Sequence, residues 1–248
     1  MKKILLITGG SDGIGAATAH LAAQRGYVVC VNYRQNHEAA NRVVSDIGKG
    51  GGLAFAFQAD ISIEAAVEKM FVDIDRQVGG LTALVNNAGI IESQQKLCDM
   101  SAERLHRVFA TNVIGSFLCA REAIKRMSIR NGGRGGGIVN VSSMASKHGS
   151  PFEYIDYAAT KGAIDTMTVG LSKEVAEEQI RVNAVRPGII HTGIHGKAGD
   201  PNRVDRLKEL VPMKRGGQPE EIARTILWLL SDEASYITGA LVDVSGGR

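Results

Sequence analysis

Short apolar runs alternate with longer stretches of helical period along the whole chain. Seven runs, Ile4–Thr8, Val28–Asn32, Leu53–Gln58, Ala83–Asn86, Ile138–Ser142, Arg181–Val185 and Leu241–Val244, are rich in β-branched residues and almost continuously apolar. That is the character of parallel strands covered on both faces. Between them, segments 14–25, 36–47, 62–78, 101–129, 157–178 and 219–231 repeat apolar residues at helical spacing. The alternation predicts an α/β fold, a doubly wound (Rossmann) parallel sheet with right-handed crossovers and helices on both faces. Helix starts carry caps: Ser62 and Ser101 stand before early acids, and Pro219 with Glu220 and Glu221 opens the last helix. No linker or internal repeat divides the chain, and the loop Asn131–Gly137 is too short for a boundary, so a single domain over 1–248 is expected.

Composition narrows the function classes. Of 248 residues, 44% are hydrophobic and 22% charged, so a core can form without staples. Cys30, Cys98 and Cys119 are scattered and odd in number, which points to a reducing compartment and no disulfide framework. They share no metal-ligand spacing with the six histidines, so no metal site is expected. The net charge of +3 forms no basic tract, which argues against nucleic-acid or membrane-surface binding and suits a phosphate-bearing ligand. The start Met1-Lys2-Lys3-Ile4-Leu5-Leu6-Ile7 has the look of a signal peptide, but Thr8-Gly9-Gly10 ends the run too early. A cytoplasmic protein is expected.

Two segments carry chemistry. Thr8-Gly9-Gly10-Ser11-Asp12-Gly13-Ile14-Gly15 follows the first strand and opens the first helix. Glycines there let the backbone turn tightly and approach a pyrophosphate at the helix N-terminus. The spacing G-x-x-x-G-x-G differs from the usual G-x-G-x-x-G fingerprint. The second segment holds Tyr157 and Lys161, four apart at helical spacing and therefore on one face. A phenol with a reference pKa of about 10 needs on the order of 4 kcal/mol of help to act as a base near neutrality. A neighbouring ammonium and a cationic nicotinamide ring in a partly dry cleft are candidates to supply it.

These segments, with Asn86-Asn87-Ala88-Gly89, Asn112, Val141-Ser142-Ser143 and Arg186-Pro187-Gly188, occur in the order found in the classical short-chain dehydrogenase/reductases, which the chain resembles along its whole length. The look is closest to bacterial glucose-dehydrogenase-like and 3-oxoacyl-reductase-like members. The resemblance implies a seven-stranded sheet, a cofactor at the C-terminal strand ends and a homotetramer. In that assembly 101–129 and 157–178 pair between subunits, and the last helix and strand form a second interface. It further implies that Tyr157 exchanges a proton with the substrate oxygen, that Lys161 lowers the tyrosine pKa and holds the nicotinamide ribose, and that a serine polarises the carbonyl. Asn112 would join a water to the relay. Ser143 is the first choice of serine and Ser142 the fallback, because the Ser143-to-Tyr157 separation is one residue longer than the family's commonest spacing. The extra residue is expected in the Lys147–Ile155 loop.

By the same resemblance the cofactor meets Gly9, Ser11, Asp12, Gly13, Ile14 and Gly15 in the turn, and Tyr33 and Arg34 after the second strand. Asp60 and Ile61 follow the third strand, Asn87, Ala88 and Gly89 the fourth, and Pro187, Gly188, Ile190 and Thr192 the sixth. Tyr157 and Lys161 complete the set. A carboxylate ending the second strand would accept bonds from the adenosine ribose and repel a 2′-phosphate. Here that end reads Val31-Asn32-Tyr33-Arg34, with no acid and with a guanidinium able to bind phosphate, so NADP(H) is favoured. Asp12 inside the turn, where NADP-preferring relatives often carry a base, keeps NAD(H) open. His191 and His195 are expected to be surface residues. A glycine-rich lid over about 191–216, Ile90–Ser93 and the Lys147–Ile155 loop with Phe152 and Tyr154 would bound a small alcohol or carbonyl substrate: a sugar, a 3-oxoacyl thioester or another carbonyl. The alternative is a catalytically silent NADP(H)-sensing protein on the same fold.

Overall fold

The computed structural model describes residues 3–248; Met1 and Lys2, and with them the start of the N-terminal run, lie outside them. Each apolar run becomes a strand: β1 (Lys3–Ile7), β2 (Tyr27–Tyr33), β3 (Leu53–Gln58), β4 (Ala83–Asn86), β5 (Gly136–Val141), β6 (Ile180–Pro187) and β7 (Leu241–Val244). All pair in parallel in the order β3-β2-β1-β4-β5-β6-β7. The chain winds outward from β1 to β3, then crosses back to lay β4 on the other side of β1. That reversal opens a crevice at the C-terminal strand ends, where open α/β sheets bind ligands.

Side chains alternate across the strands and so feed two cores. On one face Leu6, Cys30, Leu84 and Ile138 meet α3 (Glu64–Gln77), α5 (Gly115–Met127) and α7 (Ile155–Glu174). On the other, Leu5, Ile7, Val29 and Val139 meet α1 (Gly13–Gln24), α2 (His37–Lys49) and α10 (Pro219–Leu230).

The long segment 101–129 is not one helix. It runs as α4 (Ala102–Phe109), a π-helical turn at Ala110–Ile114, and then α5. No proline or glycine within 102–114 marked the break. Just after it Gly115 presses on the turn after β3, where a Cβ would lie 2.8 Å from Ile61 side-chain atoms. Short helices α6 (Ala145–His148), α8 (Ile194–Lys197) and α9 (Arg203–Leu207) were not predicted; all lie in loops at the substrate end.

Capping is mixed. Ser101 Oγ accepts from Arg104 N at 3.3 Å, as expected, and Glu221 Oε2 accepts from Gln218 N at 2.8 Å at the start of α10. Ser62 does not cap α3: its N and Oγ both donate to Asp60 Oδ1, at 2.9 and 2.6 Å, and Ile63 holds the cap position. Among the described residues no helix is long and apolar enough to cross a membrane and no cluster of metal-ligating side chains occurs.

Segment 191–216 leaves the sheet after β6 and returns to it. Its ends are tied by an isolated bridge between Ile190 and Gly217, with His191 N donating to Gly217 O and Gly217 N to Ile189 O, both at 2.9 Å.

Candidate active site

A cleft of 840 Å³ runs along the C-terminal strand ends. Its floor begins at the glycine turn. Gly9 and Gly13 sit at φ +61° and +52°, and a Cβ on Gly9 would lie 2.9 Å from Ala88 Cα. A Cβ on Gly15 would lie 2.4 Å from Gly9 O, so Gly15 closes the turn from behind while Gly9, Ser11, Asp12, Gly13 and Ile14 line the cleft. Asn87 ties the turn to the segment after β4: its Nδ2 donates to the carbonyls of Thr8 and Gly9, both at 3.0 Å. Thr8 Oγ1 accepts in return from the amides of Asn87 and Ala88, both at 3.0 Å. The result is a rigid cradle at a helix N-terminus, where unpaired amides and the helix dipole favour a phosphate.

At the end beside β2, Arg34, Asp60 and Ile61 line the cleft together. Arg34 Nη1 lies 3.8 Å from Asp60 Oδ2, a loose contact between half-exposed groups. Tyr33 is a correction. It does not line the cleft: strand alternation turns its ring to the other side, where its hydroxyl meets His37 Nδ1 at 2.6 Å. The preceding Asn32 takes the inward place. Its Oδ1 accepts from Gly9 N at 3.2 Å and its Nδ2 donates to Ala59 O at 3.1 Å, so it braces turn and strand alike.

Mid-cleft, β5 delivers two serines and α7 the tyrosine and lysine. Ser142 is spent on structure: buried, it donates through Oγ to Lys161 O at 3.2 Å. Ser143 Oγ accepts from Ala145 N at 3.1 Å and lines the cleft beside Tyr157, close enough to favour its phenolate. Lys161 follows one turn later, its Nζ donating to Val141 O at 2.7 Å and lying 5.4 Å from the Tyr157 ring centroid. Burial pushes the Tyr157 phenol up to about 12, and Ser143 pulls the other way. Burial likewise pushes Lys161 down to about 8, with the Asp165 carboxylate opposing. Burial is the larger effect at Tyr157, because dehydration penalises the phenolate and the ammonium alike.

Asn112 lies within the π turn, buried and behind the cleft wall rather than on it. Its Oδ1 accepts from Ile90 N at 2.7 Å, and its Nδ2 donates to Ile90 O at 2.9 Å and Thr160 Oγ1 at 3.2 Å. It clamps the strand-4 loop to α7. Gly89, Ala88, Pro187, Gly188, Ile190 and Thr192 line the cleft.

The substrate end is walled by Ile90 and Ile91, by residues 143–154, and by segment 191–216. Ser150 and Phe152 adopt positive φ of 45° and 65° in the loop expected to hold the extra residue. Phe152 projects outward, 77% exposed, whereas Tyr154 turns in. Arg203 of α9 closes over this end: Nη1 donates to Glu153 Oε1 at 3.0 Å, Nη2 to Oε2 at 2.5 Å, and the guanidinium stacks 5.0 Å from the Tyr154 ring centroid. Behind the wall Arg104 and Asp156 form a buried pair at 2.8 Å, and Arg104 Nη1 also donates to Ser93 O at 2.7 Å. His195 is not a plain surface residue: it lines the cleft, its Nε2 lies 3.0 Å from Ile190 O, and burial lowers its pKa. Asn32, Glu153, His195, Arg203 and Arg248 line the cleft without having stood out as site residues. For Asn32 alone a signal existed, the strand alternation that faces it opposite to Tyr33.

Known proteins bear on this geometry. Residues 9–248 match the family model described as enoyl-(acyl carrier protein) reductase. YgfF of Escherichia coli, an uncharacterized oxidoreductase, is 60% identical over 245 residues, 99% of each chain. The 3-oxoacyl-(acyl-carrier-protein) reductase FabG of Staphylococcus epidermidis is 36% identical over 100% of this chain and 99% of its own. A short-chain dehydrogenase/reductase variant from Serratia marcescens superposes with a TM-score of 0.90 at 32% identity, over 99% of this chain and 97% of that one.

Proposed function

Because the chain belongs to the short-chain dehydrogenase/reductase family of oxidoreductases, we propose that it moves a hydride between NADP(H) and an alcohol or carbonyl carbon, with Tyr157, Lys161, Ser143 and Asn112 as its machinery. The observation that carries this is the convergence of Ser143, Tyr157 and, one turn behind, Lys161 on the same cleft as the glycine cradle. The cradle suits a dinucleotide, since side chains on Gly9 or Gly15 would collide with Ala88 or with Gly9 O and so break the tight turn that opens the helix N-terminus to a pyrophosphate. Gly9, Ser11, Asp12, Gly13 and Ile14 would hold the phosphates, with Gly15 and Asn87 supporting the turn. Asp60 and Ile61 would flank the adenosine, Ala88 and Gly89 the middle of the cofactor, and Pro187, Gly188, Ile190 and Thr192 the nicotinamide side. When bound, the nicotinamide supplies or accepts the hydride.

The chain's own residues handle the oxygen. Ser143 and Tyr157 present two donors to an oxygen gaining alkoxide character, the arrangement that stabilises such a charge. A phenol held at about 12 keeps its proton at neutral pH and is ready to give it to that oxygen. Lys161 adds positive charge behind the phenol, and Asn112 fixes the Ile90 loop against α7.

NADP(H) preference rests on the absence of a carboxylate at the end of β2 and on the loose 3.8 Å contact of Arg34, which a 2′-phosphate would improve on. Asp12 keeps NAD(H) as the second cofactor. A homotetramer in the cytoplasm completes the reading: Phe109, Ile114 and Phe117 are exposed on and beside α4 and α5, Val169 on α7 and Trp228 on α10. Segment 191–216 acts as the lid of a single-domain enzyme whose substrate is a small alcohol or carbonyl, with 3-oxoacyl thioesters and sugars the first to screen.

The test is Tyr157→Phe. NADPH titration by fluorescence should be unchanged, while turnover in a carbonyl screen should fall by roughly 10²–10⁴. Retained turnover would refute the catalytic assignment. A wild type that binds NADPH yet turns over nothing would favour the silent sensor. Arg34→Ala in the same titration should erase the preference for NADPH over NADH.

A further inference from the structure

Most charges lining the cleft have an evident partner. Arg34 faces Asp60, Lys161 Nζ donates to Val141 O, and Arg203 forks onto Glu153. Arg248 differs. It lines the same cleft, its Nη1 is buried with no hydrogen-bond partner, and it forms no ion pair among the described residues. A buried guanidinium nitrogen without an acceptor is costly, and such groups are normally satisfied in the working protein. Tyr154 Oη, on another part of the wall, is a second buried polar atom without a partner.

The sheet shows which end of the cleft Arg248 serves. Gly188 N donates to Val244 O at 3.1 Å, and beyond β7 Met213 N donates to Gly246 O at 3.1 Å while Gly247 packs on Pro212. Arg248 is thus held where segment 191–216 returns to the sheet, beside Pro187, Gly188 and Ile189. β7 stands five strand positions from β2, about 24 Å at the usual spacing, so Arg248 cannot serve a phosphate beside Arg34. β7 stands only two positions, about 10 Å, from β5, whose C-terminal end leads directly into Ser143.

We infer that the substrate carries a carboxylate close to its reacting carbon and that the Arg248 guanidinium binds it, making the substrate pair a hydroxy acid and its oxo acid. The inference rests on the oxidoreductase reading above. Planar, forked donors match a carboxylate, and a charge-assisted pair in a partly dry cleft discriminates strongly against a neutral isostere.

The test uses equilibrium binding, so it does not depend on turnover. NADPH-loaded wild type would be titrated calorimetrically with α- and β-hydroxy acids, each against its methyl ester, since enzyme and ligand are then both reduced and no reaction follows. At least one acid should bind about 10- to 100-fold more tightly than its ester. Arg248→Gln should remove that preference while leaving NADPH affinity and the light-scattering mass unchanged. Equal binding of every acid and ester, or a preference that survives Arg248→Gln, overturns the inference. A loss of NADPH affinity in that variant would assign the guanidinium to the cofactor's phosphates, and a changed mass would assign it to a subunit contact; either also overturns it. Failure of turnover alone would count against the oxidoreductase mechanism and not against carboxylate recognition.

Discussion

Lys161 should make the protein more stable as the pH rises through the mildly alkaline range. The residue is 4% exposed, and its ammonium sits at about 8 in the fold against 10.5 for a free lysine. Above 10.5 both states are neutral and the group costs nothing; below 8 the fold must hold a dehydrated charge. In between, the unfolded chain binds the extra proton, so unfolding free energy climbs with pH. The full penalty is about 3 kcal/mol, and roughly 2 kcal/mol of it should be relieved between about pH 7 and 9.5. The perturbation is Lys161→Met, which removes the titration while keeping an apolar stem. Urea unfolding of both proteins at one protomer concentration, every half pH unit, gives a difference curve in which packing changes are a constant offset. Staying below pH 10 avoids Tyr157, whose raised pKa of about 12 lowers stability as the unfolded phenol ionises first. A flat difference curve, or one falling with pH, would refute the argument that burial dominates at Lys161.

Ser143→Ala should cut kcat by about 10²-fold or more through loss of a donor to the substrate oxygen, and shift the alkaline limb of the kcat/KM profile upward; an unchanged profile would return the role to Ser142. Gly15→Ala forces a Cβ to 2.4 Å from Gly9 O and should cost at least about tenfold in NADPH affinity, whereas Gly48→Ala on exposed α2, with open space around it, should stabilise by about 0.5–1 kcal/mol in thermal melts. Arg104→Met strands the buried Asp156 carboxylate and should destabilise by about 3–5 kcal/mol, most of which Arg104→Met with Asp156→Leu should restore in urea unfolding.

Much of this was legible in the sequence because parallel strands buried on both faces announce themselves as unbroken apolar runs. The glycine turn and the Tyr157–Lys161 pair were legible for a similar reason, since their spacing is local. What escaped depended on direction across a sheet or on distant partners. Tyr33 and Asn32 are neighbours in the chain but face opposite sides of β2, and the same one-residue alternation sends Ser142 to the Lys161 carbonyl and Ser143 to Tyr157. Arg203 and Arg248 read as ordinary charges until segment 191–216 and β7 bring them to the cleft. The extent to which Tyr157 and Lys161 are buried was not legible either, because a pairwise picture of phenol and ammonium omits the water both have lost.

The π turn at Ala110–Ile114 constrains anyone who would redesign this protein. Each residue advances a helix by about 100°, so deleting one residue there to restore an ordinary α-helix would rotate everything after it by that angle. Cys119, Ala123 and Met127 would swing out of the core, or Asn112 would let go of Ile90. A backbone idealisation that scores well by local geometry would therefore trade away either packing or clamp, and length-preserving substitutions are the safer route to a stiffer helix.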